Sequence, residues 1–348
     1  MNPYLDLAIP IAWPDQTARG DELWMAILRK IGIVKNLNFK VGHAAIVLVH
    51  RKTGTLKYYD FGRYIVPRGF GRARSAKFDP RLQLHTKAQF TVTGDLENLA
   101  EILQELKDLE QATHGGGRLL CSVAEEISFE KAEKFAEDLV DQGPILYGAL
   151  APGNNSCSRY VAQILVNAMP KEDKRVRKIL FPECLKASPT SNVVNATHAN
   201  RIVWHDDSGI KMEEMGRMDS LRFQIGLLKP NFFRSAAKEL SDDKLLGFIE
   251  EPVRPIQVPA DAQWLGGLGE GCWFSLQQEP PYWVITKYHH SGKVDYKVFS
   301  DEHHKLDISG PFEFTYKVHA GKHELKQKDQ LHEVKSLENN NLQIKQSI

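Results

Sequence analysis

The sequence predicts an α+β chain: a first domain over residues 1–250 with a central antiparallel sheet and packed helices, a small all-β domain over 251–334, and a polar tail over 335–348. Three observations predict it. An apolar run, Ala44 to Val49, returns through a Lys-Thr-Gly turn into an aromatic strand-prone segment, which is a hairpin signature. Apolar residues recur at helical spacing in several later segments. Beyond Glu251 the chain changes to short, aromatic, turn-punctuated runs of the kind that form small all-β domains.

The hairpin spans Lys40 to Tyr64. Its first strand is apolar at both parities, so both faces should be covered, as in a central strand. The Arg- and Gly-rich stretch from Pro67 to Leu82 has neither helical nor strand periodicity and reads as a loop. A strand over 88–94 should lead to an amphipathic helix capped by Asp95, with Leu96, Leu99, Leu103, Leu106 and Leu109 as its stripe and Gly115 to Gly117 as its stop. A strand over 118–127 and a helix over 129–142 follow. After a Pro-Gly-Asn-Asn turn at 152–155, Ser156 stands at an N-cap position, and Val161, Ile164, Leu165 and Ala168 continue with helical spacing. Cys157 therefore opens a buried helix. Lys171 to Arg234 contains a charged helix but is otherwise not assignable. A helix near Ser235 to Leu246 should close the first domain.

Composition narrows the function. The chain is 42% hydrophobic and 26% charged, enough to form a core and too ordered in pattern for wholesale disorder. With 45 basic against 44 acidic side chains, no global field draws it to nucleic acid or an anionic membrane. The N-terminus lacks a basic region followed by an apolar run, and no stretch approaches the ~20 residues that span a bilayer. The four cysteines, Cys121, Cys157, Cys184 and Cys272, have no ligand spacing, which points to free thiols in a reducing, cytoplasmic setting. No metal or other cofactor is called for. The pairs His289-His290 and His303-His304 make no chelate if they sit on strands, where neighbours face opposite ways.

A cysteine in the first turn of a helix meets the positive end of the helix dipole and unpaired N–H groups, both of which favour thiolate. A histidine brought against it can hold the thiol ionised and later protonate a leaving group. His43, opening the central strand, is the candidate base. Asp60, on the returning strand among Tyr58, Tyr59 and Phe61, is the candidate orienting group, provided the register turns it to the same face; Tyr59 is the alternative. The plain readings stand beside these: Cys157 as core, His43 as a structural residue, and Asp60 as a turn cap or partner of Arg63. Arg63, Arg68, Arg72 and Arg74 could clamp an anionic group of a substrate or simply pair with nearby acids.

The stretches Gly42-His43-Ala44-Ala45-Ile46-Val47-Leu48 and Asn155-Ser156-Cys157-Ser158-Arg159-Tyr160-Val161, in that order, resemble the circularly permuted branch of the NlpC-type, papain-like cysteine peptidase and acyltransferase superfamily, in which histidine precedes cysteine. The resemblance implies a papain-like first domain in a bacterial protein, with Cys157 as nucleophile, His43 as base and Asp60 as orienting residue. Arg63, Arg72, Arg74, Tyr59 and Asn155 are the candidate substrate-binding residues. The function expected is a cysteine hydrolase cleaving an amide or peptide-type bond. The alternatives are an acyltransferase with the same site and a non-catalytic scaffold with a vestigial one. The partners expected are a peptide-, amide- or acyl-containing substrate and a protein bound by the C-terminal β domain.

Overall fold

The computed structural model describes residues 3–20, 23–148, 153–301, 306–307 and 310–337. Pro152 of the turn before Cys157, the His303-His304 pair and residues 338–348 of the tail lie outside the described residues. In chain order the strands are β1 (Asp6–Trp13), β2 (Ala18–Arg19), β3 (Asn38–Phe39), β4 (His43–His50), β5 (Thr55–Gly62), β6 (Phe70–Arg74), β7 (Leu119–Cys121), β8 (Ala124–Ile127), β9 (Ile145–Leu146), β10 (Arg201–Asp206), β11 (Gly209–Glu214), β12 (Gln263–Leu265), β13 (Cys272–Glu279), β14 (Tyr282–His289), β15 (Val294–Ser300), β16 (Glu313–His319), β17 (Lys322–Gln327) and β18 (Gln330–Lys335). The helices are α1 (Leu23–Lys30), α2 (Leu99–Asp108), α3 (Glu110–Thr113), α4 (Phe129–Gln142), α5 (Cys157–Ala168), α6 (Lys174–Leu180), α7 (Pro189–Asn195) and α8 (Arg217–Leu228). The chain is α+β, with antiparallel sheets, helices and a C-terminal all-β region.

The chain divides into two compact units. The first comprises 1–61, 84–138 and 148–245; the second comprises 62–83, 139–147 and 246–348. The second unit thus draws in two segments from before residue 250, which a single boundary in the sequence does not anticipate. The reason is visible in the polar groups of 62–83. Ile65 donates its N–H to the Glu270 carbonyl at 2.8 Å, and Ala320 donates to the Phe78 carbonyl at 3.1 Å. Arg72 donates to the Val318 and Tyr316 carbonyls. A buried backbone or guanidinium group must find partners, and these segments find theirs on the C-terminal strands.

In the first unit the sheet runs β11-β10-β7-β1-β4-β5, with β8 also paired to β1. β4 lies between β1 and β5, and every residue from His43 to Val49 is buried, which accounts for its apolar character at both parities. β1 is interior although it contains Pro10, which has no N–H to give a ladder. Its outer neighbour is interrupted at that level: Ile11 pairs with Cys121 of β7 and Ala8 with Ala124 of β8, so residues 122–123 fall opposite the proline. Helices α5 and α7 pack on β4 and β1, and Val193 and Val194 of α7 join Ala12, Leu120 and Ile202 in one core cluster. Truncating a fully buried aliphatic such as Leu165 would cost about 2–5 kcal/mol.

Several local expectations are corrected. The Arg/Gly stretch is not a plain loop: it holds β6 and a 3-10 turn, Pro80–Leu82. Residues 88–94 form no strand beyond a bridge between Phe90 and Leu96, because Thr91, Thr93 and Asp95 bond one another in a turn. Asp95 is spent there, so the helix starts at Leu99 with Asn98 at its N-cap position. The 118–127 strand is two short strands. In place of a helix over 235–246 there is a 3-10 turn, Ala236–Glu239. Carbonyls a helix would use are taken by tertiary bonds: Asn36 Nδ2 donates to Ser241, and Asn38 Nδ2 donates to Ser241 and Asp242, at 2.9–3.0 Å.

In the second unit β12-β13-β14-β15 and β16-β17-β18 form two antiparallel sheets, and β6 pairs with β9. A largely buried ion network sits here, with only Arg81 partly exposed. Arg81 bonds Asp79 and Glu270, and the Lys287 ammonium lies 3.3 Å from Asp79 and 3.1 Å from Asp295. Each buried charge is matched, the condition under which such a group is tolerated in a core.

Candidate active site

Cys157 is the first residue of α5. Ser156, in extended conformation, caps the helix by accepting from the Arg159 N–H at 3.3 Å. Asn155 fixes the entry: its Oδ1 accepts from the Ser156 N–H and its Nδ2 donates to Gln163 Oε1, both at 2.9 Å. The thiol is half-buried, whereas Cys121 and Cys272 are fully buried.

His43 opens β4, directly after Gly42, whose φ is +74°. A Cβ at Gly42 would come within 3.1 Å of the Trp13 carbonyl and 3.2 Å of Pro14 Cα, so the left-handed turn and the close approach both call for glycine. The register decides what His43 faces. Ala45 pairs with Asp60, so Asp60 is the diagonal neighbour of His43 on the same face, and the small Ala45 leaves room between them. His43 Nε2 lies 3.2 Å from Asp60 Oδ2, and the Tyr58 hydroxyl donates to the same oxygen at 3.0 Å. The Cys157 thiol and the imidazole lie close enough that each shifts the titration of the other. Trp13, paired with His43 across β1 and β4, stacks on the imidazole at 5.7 Å with planes 15° apart.

The electrostatics follow from this geometry. Burial disfavours a charged imidazole, but the bonds and charges of Asp60 and Cys157 outweigh it and raise His43 to about 9. For Cys157, burial pushes the thiol up, and the bond and charge of His43, with help from Ser158 and the Ala44 backbone, bring it below the ordinary cysteine value. Cys121, with nothing to offset burial, is pushed up to about 12.

The structure therefore brings Cys157, His43 and Asp60 together. Asn155 lies at the start of the same helix, engaged with Gln163 and the Ser156 backbone. Tyr59 points to the other face of β5 and donates to Glu137 at 2.9 Å, so it does not replace Asp60. The arginine clamp is corrected for Arg72 and Arg74: both are 1% exposed or less, in the second unit, with internal partners. Arg72 stacks over Phe78 and bonds backbone carbonyls; Arg74 stacks over Tyr64 at 3.7 Å and lies 3.8 Å from Glu270. Arg63 stacks over Tyr147 at 5.0 Å. The guanidinium groups of Arg72 and Arg74 are buried too deeply to meet a ligand from solvent, although among the described residues Arg72 Nε keeps no hydrogen-bond partner of its own.

Tyr58 and Trp13 were not read as site residues from the sequence. Tyr58 was accessible in principle, two residues before Asp60 on one strand and so on one face. Trp13 was not, because only the pairing of β1 with β4 sets it against His43. The His289-His290 pair also departs from the expected opposite-facing arrangement: β14 ends at His289, alternation stops, and the two rings lie 3.8 Å apart.

Among the described residues, two side-chain groups have metal-compatible spacing. In Glu126, Asp173 and His198, Asp173 is already bonded by the Arg175 guanidinium at 2.6 Å. In Glu270, Cys272 and Asp295, the Lys287 ammonium and the Arg81 guanidinium already supply positive charge to the carboxylates.

Residues 8–174, which include all three of these side chains, match the family model described as Type VI secretion system effector TseH-like. Residues 262–337 match a second model, described as the DUF6695 C-terminal domain. Among solved structures, the crystal structure of the Type VI secretion system effector TseH aligns with a TM-score of 0.41 and 18% identity, over 61% of this chain and 99% of that chain. No curated protein matches the chain. Among the described residues, no helix is long and apolar enough to cross a membrane.

Proposed function

We propose that the chain is a TseH-like effector whose first unit is a papain-like cysteine hydrolase of the permuted NlpC type, acting on an amide or peptide-type bond. The observation that carries this reading is the Cys157 thiol at the start of α5, lowered by the neighbouring His43 imidazole, which is itself hydrogen-bonded to the Asp60 carboxylate. The family match over 8–174 supports it. The four free cysteines fit synthesis in a reducing cytoplasm.

In the proposed reaction His43 Nδ1 holds the thiol proton, and the Cys157 sulfur attacks the carbonyl carbon. The carbonyl π pair moves to oxygen, facing the unpaired N–H groups of the first turn of α5. As the C–N bond breaks, His43 delivers its proton to the leaving amine, and an acyl-thioester remains on Cys157. Water then gives a proton to His43 and its oxygen to the acyl carbon, releasing the acid and restoring the thiol. Asp60, itself held by Tyr58, keeps Nε2–H bonded and the ring aimed. If an amine or alcohol replaced water in the last step, the same residues would perform acyl transfer.

Iodoacetamide labelling at neutral pH, read by peptide mass spectrometry, tests the site. Cys157 should react far faster than Cys121 and Cys272, and His43→Ala should slow it. Equal and sluggish labelling of all three would reject the reading and favour a binding or scaffold role. Product analysis of a peptide substrate with an added amine would separate hydrolysis from transfer.

A further inference from the structure

We propose that β11 is a dimerisation edge, pairing antiparallel with β11 of a second copy of this chain about a two-fold axis at Met212. β11 ends the sheet of the first unit: it pairs with β10 on one side, and among the described residues no strand lies on the other. Its pairing with β10 runs from Arg201↔Glu214 to Asp206↔Gly209 without a bulge, so the open edge is regular. An open, regular strand presents unpaired backbone groups that template another strand. Ile210 and Met212 are exposed on it, at 43% and 67%.

The occupant follows from parity and charge. Outward-pointing backbone groups alternate along the strand, so an antiparallel copy can pair only residues of like parity, and the two-fold axis must pass through a residue. With the axis at Met212, residues 210–214 pair with 214–210, and Lys211 stands opposite Glu213 of the second copy, twice. Moving the axis to Lys211 sets lysine against lysine; moving it to Glu213 sets glutamate against glutamate. Like charges directly opposite are destabilising and opposite charges are favourable, so one register is selected. Among the described residues neither Lys211 nor Glu213 forms a close ion pair within its own chain; Lys211 acts on Asp206 only through its field, so its ammonium can still meet Glu213 of the second copy.

Sedimentation velocity of the full chain over a range of concentrations tests the proposal. Concentration-dependent dimers are expected, and Lys211→Glu should weaken them about tenfold or more. The double change Lys211→Glu with Glu213→Lys should restore them, because the pairs return with signs exchanged. Under mild oxidation Met212→Cys should give a disulfide-linked dimer, since the axial residue faces itself, whereas Lys211→Cys and the unchanged chain should not. All three substituted positions are exposed, and circular dichroism checks that each variant folds. A chain that stays monomeric at its highest soluble concentration, a dimer indifferent to Lys211→Glu, or a double change that fails to restore it would overturn the proposal.

Discussion

Cys157 in the first unit and Cys272 in the second each lie beside a basic group that is itself bonded to carboxylate, yet their surroundings move the two thiols in opposite directions. Cys157 opens a helix, is half-buried and meets an imidazole held by Asp60. Its thiol is lowered. Cys272 lies in a strand, fully buried; burial pushes it well above the ordinary value, and Lys287 does not reverse this because its ammonium is committed to Asp79 and Asp295. A cation beside a sulfur is therefore not enough. What separates the two is access to solvent and a partner whose charge is not already spent.

The comparison breaks first at His43. His43→Ala should lower turnover of any substrate by about 10²–10⁴-fold and slow Cys157 alkylation, while leaving Cys272 inert in both proteins. If Cys272 alkylated as fast as Cys157 in the folded chain, the contrast would be gone. Lys287→Met attacks the other side. Leaving the buried carboxylates without their ammonium should cost about 3–5 kcal/mol, seen as an earlier thermal transition of the second unit, with the Cys157 alkylation rate of the folded chain unchanged.

Two histidines sharpen the contrast through pH. His43 is raised to about 9, so between its ordinary value of 6.5 and 9 the folded state holds a proton the unfolded state lacks. Its stabilisation is complete below 6.5 and is lost as pH rises to 9, by about 1.4 kcal/mol per pH unit. His323, buried in the second unit, is lowered to about 3 by burial, with lesser effects of His319 and Lys287. There the unfolded state binds the extra proton, so stability is complete above 6.5 and falls as pH drops toward 3. Denaturant titrations of His43→Gln and His323→Gln should flatten opposite limbs of the stability profile, and the same limb for both would contradict this. The smallest effect is expected from Tyr58→Phe. Removing one hydrogen bond to the Asp60 carboxylate should slow Cys157 chemistry by about tenfold or less and move the His43 titration, while overall stability changes little.

Much of the site is legible in residue order. The apolar run of β4, the Ser156 cap and the spacing of Val161, Ile164, Leu165 and Ala168 are local signals, and they place His43 and Cys157 at element starts. The arginines misled because loop composition does not reveal burial: Arg72 and Arg74 read as exposed cations and are instead among the largest fully buried side chains. Asp95 misled because threonines nearby offered its carboxylate a closer bond than a helix start did. β1 escaped detection because Pro10 argues against an interior strand unless a break in the neighbouring strand is known.

By itself the sequence determined which segments are strands of a buried hairpin and which residue begins the helix after the Ser156 cap, because periodicity and capping act over a few residues. Only the tertiary structure decided that Asp60 shares the face of His43, that Trp13 stacks on it, and that 62–83 joins the C-terminal strands. Those outcomes depend on strand register and on partners far along the chain. A shift of one residue would turn Asp60 away, and no local signal specifies that register.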